Sequence, residues 1–335
     1  MKNYLLGCDW GTSSFRLRLI DSTNLQLIGE IRSSEGVAST FTDWKMNGES
    51  QGIVRAQFFR QQLKRQVDLL STKVAGNLAG IPIIVSGMAS SSIGMEEVPY
   101  ATLPFPVDGS RASTKRLSAQ PDFPHDITLI SGVQTQHDVM RGEETQLIGL
   151  LALLDIQHYT PEVSILIFPG THSKHIYIQH QQVIDFQTFM TGEVFNLMAM
   201  NSILKDSVSL TERNTFSTNE LDAFKLGVNE SNSPSILNSL FRVRTNQLFG
   251  KLTKTENALY LSGLLIGAEL KTLVDQEQWQ LILCSGNNLY ELYKLAMEEL
   301  QLSERTTTIS ADLIDQATIA GQVKIAQIQF VTLPK

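Results

Sequence analysis

The sequence predicts an α/β protein of two related domains with a duplicated β-β-β-α core, and three observations carry that expectation. The first is the stretch Leu5-Leu6-Gly7-Cys8-Asp9-Trp10-Gly11-Thr12-Ser13-Ser14-Phe15-Arg16-Leu17-Arg18-Leu19-Ile20-Asp21. Tyr4 to Cys8 is an apolar run suited to a buried strand, Asp9 to Ser14 is a polar turn, and Phe15 to Ile20 alternates apolar with basic residues as a half-buried strand does. The second is a copy of that layout, Val163-Ser164-Ile165-Leu166-Ile167-Phe168-Pro169-Gly170-Thr171-His172-Ser173-Lys174-His175-Ile176-Tyr177-Ile178. Placing Gly170 on Gly11 puts Thr171 on Thr12 and Ser173 on Ser14. The third is the continuation of each hairpin into a further strand, Leu25 to Ile31 and Val183 to Phe189, and then into a Gly/Glu step, Glu35-Gly36 and Gly192-Glu193.

The tips carry chemistry. Gly11 lets backbone approach a ligand where a side chain would block it. N–H groups and hydroxyls in such a turn hold phosphate oxygens, and a carboxylate beside them holds Mg²⁺, usually through water. One tip alone reads equally well as an ordinary polar turn, since Gly, Ser, Thr and Asp are common there. The second copy favours a ligand site. Two such units suggest two domains facing each other across a cleft, which resembles the layout of the actin, Hsp70 and sugar-kinase superfold. In that ribonuclease H-like/actin-like ATPase fold the two hairpins close on ATP phosphates from opposite sides of a central cleft. Fold alone does not fix an activity. The expected domains are residues 1–140, residues 141–310 with a helical insert, and residues 311–335 as a helix and strand returning to the first.

Composition narrows the class. At 335 residues the chain is long enough for two domains with real cores. A formal net charge of -7 and the lack of a basic tract argue against nucleic acid as the main partner. No apolar run is long enough to cross a bilayer, and the first strand begins too early to leave room for a signal peptide. Cys8 and Cys284 lie in apolar strand-like runs and read as buried thiols in a reducing cytoplasm. The six histidines show no metal spacing; His172 and His175 are close, without an evident third ligand.

In chain order, Ser50 to Asn77 reads as a helix on the first sheet, with Phe58, Leu63, Val67 and Leu70 near helical spacing. Ile81 to Val85 is a buried strand ending in the small-residue loop Ser86-Gly87-Met88-Ala89-Ser90-Ser91-Ser92-Ile93-Gly94, at a strand's C-terminal end where α/β folds place ligands. Met95-Glu96-Glu97-Val98-Pro99-Tyr100 comes next, and residues 108–126 are polar and irregular. Ile127 to Gly132 is another strand. Then comes Gln136-His137-Asp138-Val139-Met140-Arg141-Gly142-Glu143-Glu144-Thr145-Gln146, running into an apolar helix to Leu154. Its acids suit a helix start, where they favour the N-terminus. They also suit a phosphotransferase, which needs a carboxylate to orient an acceptor hydroxyl and take its proton. The second tip holds no acid, so the carboxylate must come from elsewhere.

The sequence resembles the 2-dehydro-3-deoxygalactonokinase family of sugar-acid kinases. The matching stretches are Asp9 to Ser14, Ser86-Gly87-Met88, Val98-Pro99-Tyr100, Asp138 to Gln146, Pro169 to Lys174, Phe189 to Glu193, Val243-Arg244-Thr245 and Tyr260 to Gly267. The Asp138 and Pro169 stretches together are specific. The resemblance implies ATP-dependent phosphorylation of 2-dehydro-3-deoxy-D-galactonate at its C6 hydroxyl with Mg²⁺, in galactonate catabolism. The first domain would then take the sugar acid and the second the nucleotide. Leu281 to Asn288 looks like the strand and glycine turn facing adenine or ribose in such kinases, though an ordinary αβ turn fits it as well; Gly263, Ser285, Gly286 and Asn287 are the candidate contacts.

Asp9 is expected to support Mg²⁺, and Gly11, Thr12, Ser13, Gly170, Thr171 and Ser173 to hold phosphates; Lys174 adds charge there or lies outside on its strand. Arg141 is the candidate for the substrate carboxylate, with Arg16 and Arg244 behind it, because arginine grips a carboxylate in bidentate fashion. Ser86, Gly87, Glu97 and Tyr100 are substrate contacts implied by the resemblance. Two residues compete as the base. Gly142-Glu143-Glu144-Thr145-Gln146 is similar to the Gly-Asp-x-Gln step of glycerol-type kinases, with Glu for Asp. Asp138 has the residue type such kinases use and stands in a turn, which points into a cleft more readily than a helix start; it is preferred, with Glu143 as an Mg²⁺-linked acid. Small residues, Gly149 on one helix and Ala317, Ala320 and Gly321 on another, permit a close crossing at a hinge. Leu197 to Leu270 is mainly helical, with Pro234 opening one helix. A kinase for another sugar or sugar acid is the nearer alternative, and a nucleotide-switch protein of the same superfold is the one from a different class. A homodimer is compatible with the sequence.

Overall fold

The computed structural model describes residues 4–154, 163–210, 215–232 and 235–331, with the side chains of Asn287, Asn288, Phe330 and Val331 outside that description. Pro234, expected to open a helix, lies outside the described residues. The chain divides into two compact units. Unit 1 comprises residues 1–160, 181–185 and 313–335, and unit 2 comprises residues 161–180 and 186–312. The boundary therefore falls after the helix at 143–153 rather than before it, because that helix packs on the last helix of unit 1 instead of leaving with unit 2.

The strands of unit 1 are β1 (Tyr4–Trp10), β2 (Phe15–Asp21), β3 (Gln26–Ser33), β4 (Ile83–Gly87), β5 (Ala101–Thr102), β6 (Phe105–Pro106), β7 (Thr114–Leu117), β8 (Ile127–Ile130), β9 (Val133–Gln134) and β10 (Val139–Met140). Six of them form a sheet in the order β3-β2-β1-β4-β8-β7. β1 is its central strand, antiparallel to β2 and parallel to β4. That position explains why Leu5, Leu6, Cys8 and Trp10 are buried on both faces rather than in alternation. Helix α1 (Val37–Asp43) comes after the first hairpin, and α2 (Arg55–Val74) lays Phe59, Leu63, Val67 and Leu70 on the sheet. Each such fully buried side chain contributes roughly 1.5–3 kcal/mol. The helix starts five residues later than its apolar spacing suggests, because Gly52 takes a left-handed conformation, φ 73°, that ends the short turn before it. β7 falls in the stretch read as irregular: Lys115 and Arg116 are exposed on an edge strand, where charge masks the β signal and blocks further pairing.

Helix α3 (Glu143–Leu153) crosses the last helix, Ala311–Val331, at Gly149. A Cβ on Gly149 would strike the Ala317 carbonyl, and one on Gly321 would strike that of Thr145, so backbone meets backbone as the small residues anticipate. Residues 311–331 form one helix where a helix and a strand are expected. Ala317, Ala320, Val323 and Ile325 keep it buried, so its β-branched tail continues the helix it is packed into.

Unit 2 repeats the plan. Its strands are β11 (Val163–Phe168), β12 (Ser173–Gln179), β13 (Gln182–Phe189, counted to unit 2 from residue 186), β14 (Gln280–Leu283) and β15 (Thr306–Thr308), in the order β15-β14-β11-β12-β13. Of its helices α4 (Thr191–Asn201), α5 (Thr218–Glu230), α6 (Ile236–Leu248), α7 (Lys254–Leu270) and α8 (Asn287–Glu299), α5, α7 and α8 share a core with the sheet, and α4 and α6 pack on α5 and α7 in a second cluster. Capping boxes open two of them, Ser217 with Glu220 on α5 and Thr253 with Glu256 on α7.

The duplication reaches the tips. After the third strand of each unit the chain returns through a glycine onto its own hairpin. A Cβ on Gly36 would strike Thr12 and Ser13, and one on Gly192 would strike Gly170 and Thr171. The next helix then donates to the tip carbonyls: Val37 N–H to Gly11 O at 2.9 Å, Ala38 N–H to Thr12 O at 3.0 Å, and Glu193 N–H to Thr171 O at 3.0 Å. Each tip is thus clamped from behind, while Thr12, Ser13 and Thr171 remain exposed.

Candidate functional site

In unit 1 the register places Asp9, next to last on β1, beside Arg16 on β2 and Ser86 on β4. Asp9, Arg16, Arg141, Glu143, Gln146 and Asp315 line one polar cavity of about 220 Å³. Burial raises the Asp9 pKa above its ordinary value; Arg16 and Arg18 pull it down, and Glu143 pushes it up again. The turn from β10 into α3 is made by Gly142, whose φ of 109° is open to glycine and strained for other residues. Glu143 then accepts the Arg141 N–H at 3.0 Å, and Glu144 accepts the Gly142 N–H at 2.6 Å. The acids therefore do act as a charged helix start, and Glu143 faces the cavity as well. Glu144 is buried, and burial together with Glu143 pushes its pKa up to about 7.

Arg141 is fixed in place and only partly satisfied. Its Nη1 donates to the Ser90 carbonyl at 2.8 Å, to Ser90 Oγ at 2.5 Å and towards Ser131 Oγ at 3.4 Å, and the Tyr100 ring lies 4.2 Å from the guanidinium carbon. Its Nε is buried with no hydrogen-bond partner among the described residues. A buried guanidinium donor without a partner is the kind of group a bound carboxylate satisfies.

Other residues singled out from the sequence sit differently. The Ser86 hydroxyl is 1 % exposed and receives the Gln322 side-chain amide at 2.9 Å, so it belongs to the core beneath the cavity. Gly87 packs where a Cβ would lie 2.7 Å from the Trp10 carbonyl and 3.4 Å from Asp9 Oδ1; it leaves room for Asp9. Glu97 is exposed, and Tyr100 acts through Arg141. Asp138 stands in the tight turn between β9 and β10, where its Oδ1 accepts the adjacent Val139 N–H at 2.7 Å, and it does not line the cavity. Of the two candidate bases it is Glu143 that lines the cavity, while Asp138 satisfies the backbone of its own turn. Arg244 donates to Ser207 and Gln247 within unit 2 and is not part of the unit 1 cavity.

In unit 2, Gly170 and Thr171 form one end of a larger, mainly apolar cavity of about 550 Å³. Thr191 and Gly192, Phe195 on α4, Ser262 and Ile266 on α7, and Leu292 and Tyr293 on α8 supply its walls. Ser173 and Lys174 are buried rather than open at the tip, so Lys174 lies neither outside on its strand nor on the cavity wall. His172 is exposed and pairs through Nε2 with Glu193 Oε2 at 2.5 Å. The expected base and ribose contacts fall just beside the cavity. Gly263 packs against the Phe224 carbonyl where α7 crosses α5, and its neighbour Ser262 is the lining residue. Ser285 is buried and bonds the Gly286 carbonyl, and Gly286 caps α8. α8 contributes its wall through Leu289, Leu292 and Tyr293, and the Asn287 side chain lies outside the described residues.

The model of the family described as 2-keto-3-deoxy-galactonokinase matches residues 9–325. The chain belongs to that family. It is 31% identical over 323 residues to the 2-dehydro-3-deoxygalactonokinase of Escherichia coli (strain K12), covering 94% of this chain and 95% of that one. A crystal structure from Sinorhizobium meliloti, named for the same enzyme, matches with a TM-score of 0.75 at 30% identity over 98% of this chain and 100% of that one. The fold extends further: an activator of 2-hydroxyisocaproyl-CoA dehydratase from Clostridium difficile, solved with bound ADPNP, matches with a TM-score of 0.50 at 13% identity. The fold is of the actin-like ATPase class, and family membership makes the chain a kinase. Asp315 and Gln146 in the first cavity and Thr191 and Tyr293 in the second also line these sites, and Glu269 bonds Thr191 and Tyr293 from behind; none is singled out by the sequence. Of these only Glu269 carries a local signal, a lone acid inside the apolar run Leu264-Leu265-Ile266-Gly267-Ala268-Glu269-Leu270.

Proposed function

We propose that the chain transfers the γ-phosphoryl group of ATP to the C6 hydroxyl of 2-dehydro-3-deoxy-D-galactonate, as a step of galactonate catabolism in the cytoplasm. The observation that carries the substrate reading is the half-satisfied Arg141, which lines the polar cavity, is fixed by Ser90 and Tyr100, and has a buried Nε without a partner among the described residues. A 2-keto acid brings the carboxylate that such a donor lacks. The mainly apolar cavity of unit 2, with a Gly-Thr tip at one end, suits a nucleoside whose phosphates reach Gly170 and Thr171. Cys8 and Cys284 are buried free thiols, as a reducing compartment requires. No described helix is long and apolar enough to cross a membrane.

Glu143 is the base in this reading. The C6 oxygen attacks the γ-phosphorus, its proton passes to the Glu143 carboxylate, and the bond from phosphorus to the β–γ bridging oxygen breaks to release ADP. Arg141 binds the sugar-acid carboxylate, and Thr12, Ser13 and Thr171 receive phosphate oxygens; the Gly170 N–H, expected to share that role, donates to Ser173 Oγ instead. Asp9 fits the Mg²⁺ role through water, since burial leaves its carboxylate in need of a cation. Bound Mg²⁺ would offset charge on the transferring phosphate.

Incubation with ATP and a panel of sugar acids, following ADP release, tests the substrate. Turnover with a different sugar acid, or only with a protein partner, would refute it. Single-turnover rates test the base. Glu143→Gln should slow the chemical step by roughly 10²–10⁴-fold, while Asp138→Asn should stay near wild type. The opposite pattern would return the role to Asp138.

A further inference from the structure

The second tip is held from inside by a chain of buried polar groups that has no counterpart in the roles assigned so far. Ser173 Oγ lies 3.0 Å from the Tyr293 hydroxyl, and the Tyr293 hydroxyl donates to Glu269 Oε2 at 2.9 Å. Glu269, 2 % exposed, also accepts from Thr191 Oγ1 and lies 3.1 Å from His175 Nε2. At the other end the Gly170 N–H donates to Ser173 Oγ at 3.3 Å.

Donor counting gives this chain a direction. A phenol has one hydrogen, and Tyr293 gives it to Glu269, so the Tyr293 oxygen is left as an acceptor. Ser173 has one hydroxyl hydrogen and two acceptors in view, Tyr293 at 3.0 Å and the Gly170 carbonyl at 3.5 Å; the shorter contact takes it. The Ser173 lone pairs then face the Gly170 N–H and keep it turned inwards. Burial and the nearby Glu269 raise the Tyr293 pKa well above its ordinary value, which keeps the phenol a donor. Tyr293 and Thr191 both lie on the cavity wall, so the group that orders the tip also touches the space the nucleoside occupies.

We infer that Glu269 and Tyr293 are positioning residues: through Ser173 they hold the Gly170 N–H inwards and so fix the tip in the orientation that presents the exposed Thr171 to nucleotide phosphates, without themselves contacting a phosphate. This rests on the nucleotide reading of the unit 2 cavity. It separates two parts of nucleotide affinity, because the tip serves the phosphates while the apolar walls serve the nucleoside.

The test is Tyr293→Phe, which keeps the buried ring and removes the hydroxyl, with dissociation constants for ADP, ATP and adenosine measured by displacement of a fluorescent nucleotide. ADP and ATP should weaken roughly tenfold, the scale of a hydrogen bond to a charged group, and adenosine by less than twofold. Glu269→Gln should shift the ligands in the same pattern, and the double variant should be no worse than Tyr293→Phe alone, since both break one chain. Ser173→Ala supplies the same comparison if Glu269→Gln fails to fold. Equal losses for adenosine and ADP would mean that Tyr293 only packs the wall, and unchanged ADP affinity would mean that the relay does not order the tip; either overturns the inference alone. A wild-type protein that binds neither ADP nor adenosine would overturn the nucleotide reading and the inference with it.

Discussion

Glu144 should make the protein less stable as pH rises through neutrality. Its carboxyl is 1 % exposed, Glu143 stands next to it, and together these push its pKa from 4.5 to about 7. Below pH 4.5 the group is protonated both folded and unfolded and contributes no pH dependence. Between 4.5 and 7 the unfolded chain has released the proton while the folded one keeps it, so the unfolded state gains with each rise in pH. Above about 7 the folded carboxyl must ionise in place, and the loss is complete. A rise from 4.5 to about 7, at about 1.4 kcal/mol per unit, amounts to roughly 3 kcal/mol. Glu144→Gln is the matching perturbation. The Gly142 N–H and the Thr145 hydroxyl both donate to the Glu144 carboxyl; the amide oxygen keeps the first, the Thr145 hydroxyl turns to accept from the amide nitrogen, and the amide never ionises. Urea unfolding at pH 4.5 and pH 8 should show variant and wild type alike at the lower pH, and the variant more stable by about 3 kcal/mol at the higher. Taking the difference between the two proteins cancels every other titrating group. A difference that stays flat across that range would show that Glu144 is already ionised when folded, and would refute the reasoning.

Two further outcomes are expected. Asp9→Asn should lower kcat at least about a hundredfold and leave the unfolding temperature unchanged or higher, because burial already disfavours the charge it removes; wild-type turnover would take Asp9 out of the mechanism. Arg141→Lys should raise KM for the sugar acid about tenfold or more while KM for ATP moves less than twofold, since an ammonium cannot reproduce the fork held by Ser90; equal shifts in both would assign Arg141 a structural role.

Much of this was legible in the sequence because both hairpins are local. Apolar runs, Gly-Thr tips and alternating return strands declare themselves within about twenty residues, and the Gly/Glu step marks where each chain folds back onto its tip. The small residues at Gly149 and Gly321 likewise announced a close crossing. Which acid faces the cavity did not declare itself. Asp138 has the chemistry of a turn and spends it on Val139, whereas the direction of Glu143 is set by the left-handed bend at Gly142, which no periodicity records. Gly263 illustrates the reverse error, a glycine that looks like ligand space and is filled by the carbonyl of Phe224. The relay from Ser173 to Glu269 joins positions about a hundred residues apart, so only the assembled unit brings its members together.

The split composition of unit 1 bears on how the protein is made. Residues 161–312 are synthesised before the last helix, so unit 2 is complete on the ribosome while unit 1 still lacks residues 313–335. The Gln322 side-chain amide donates to the Cys8 carbonyl at 2.9 Å and to Ser86 Oγ at 2.9 Å, a join across 314 positions that no shorter nascent chain can form. Such long-range closure is slow and leaves apolar surface open to aggregation in the interval. A chain ending at residue 312 should therefore resist limited proteolysis in unit 2 and be cut in unit 1; equal resistance of both would show that the first sheet matures without its final helix.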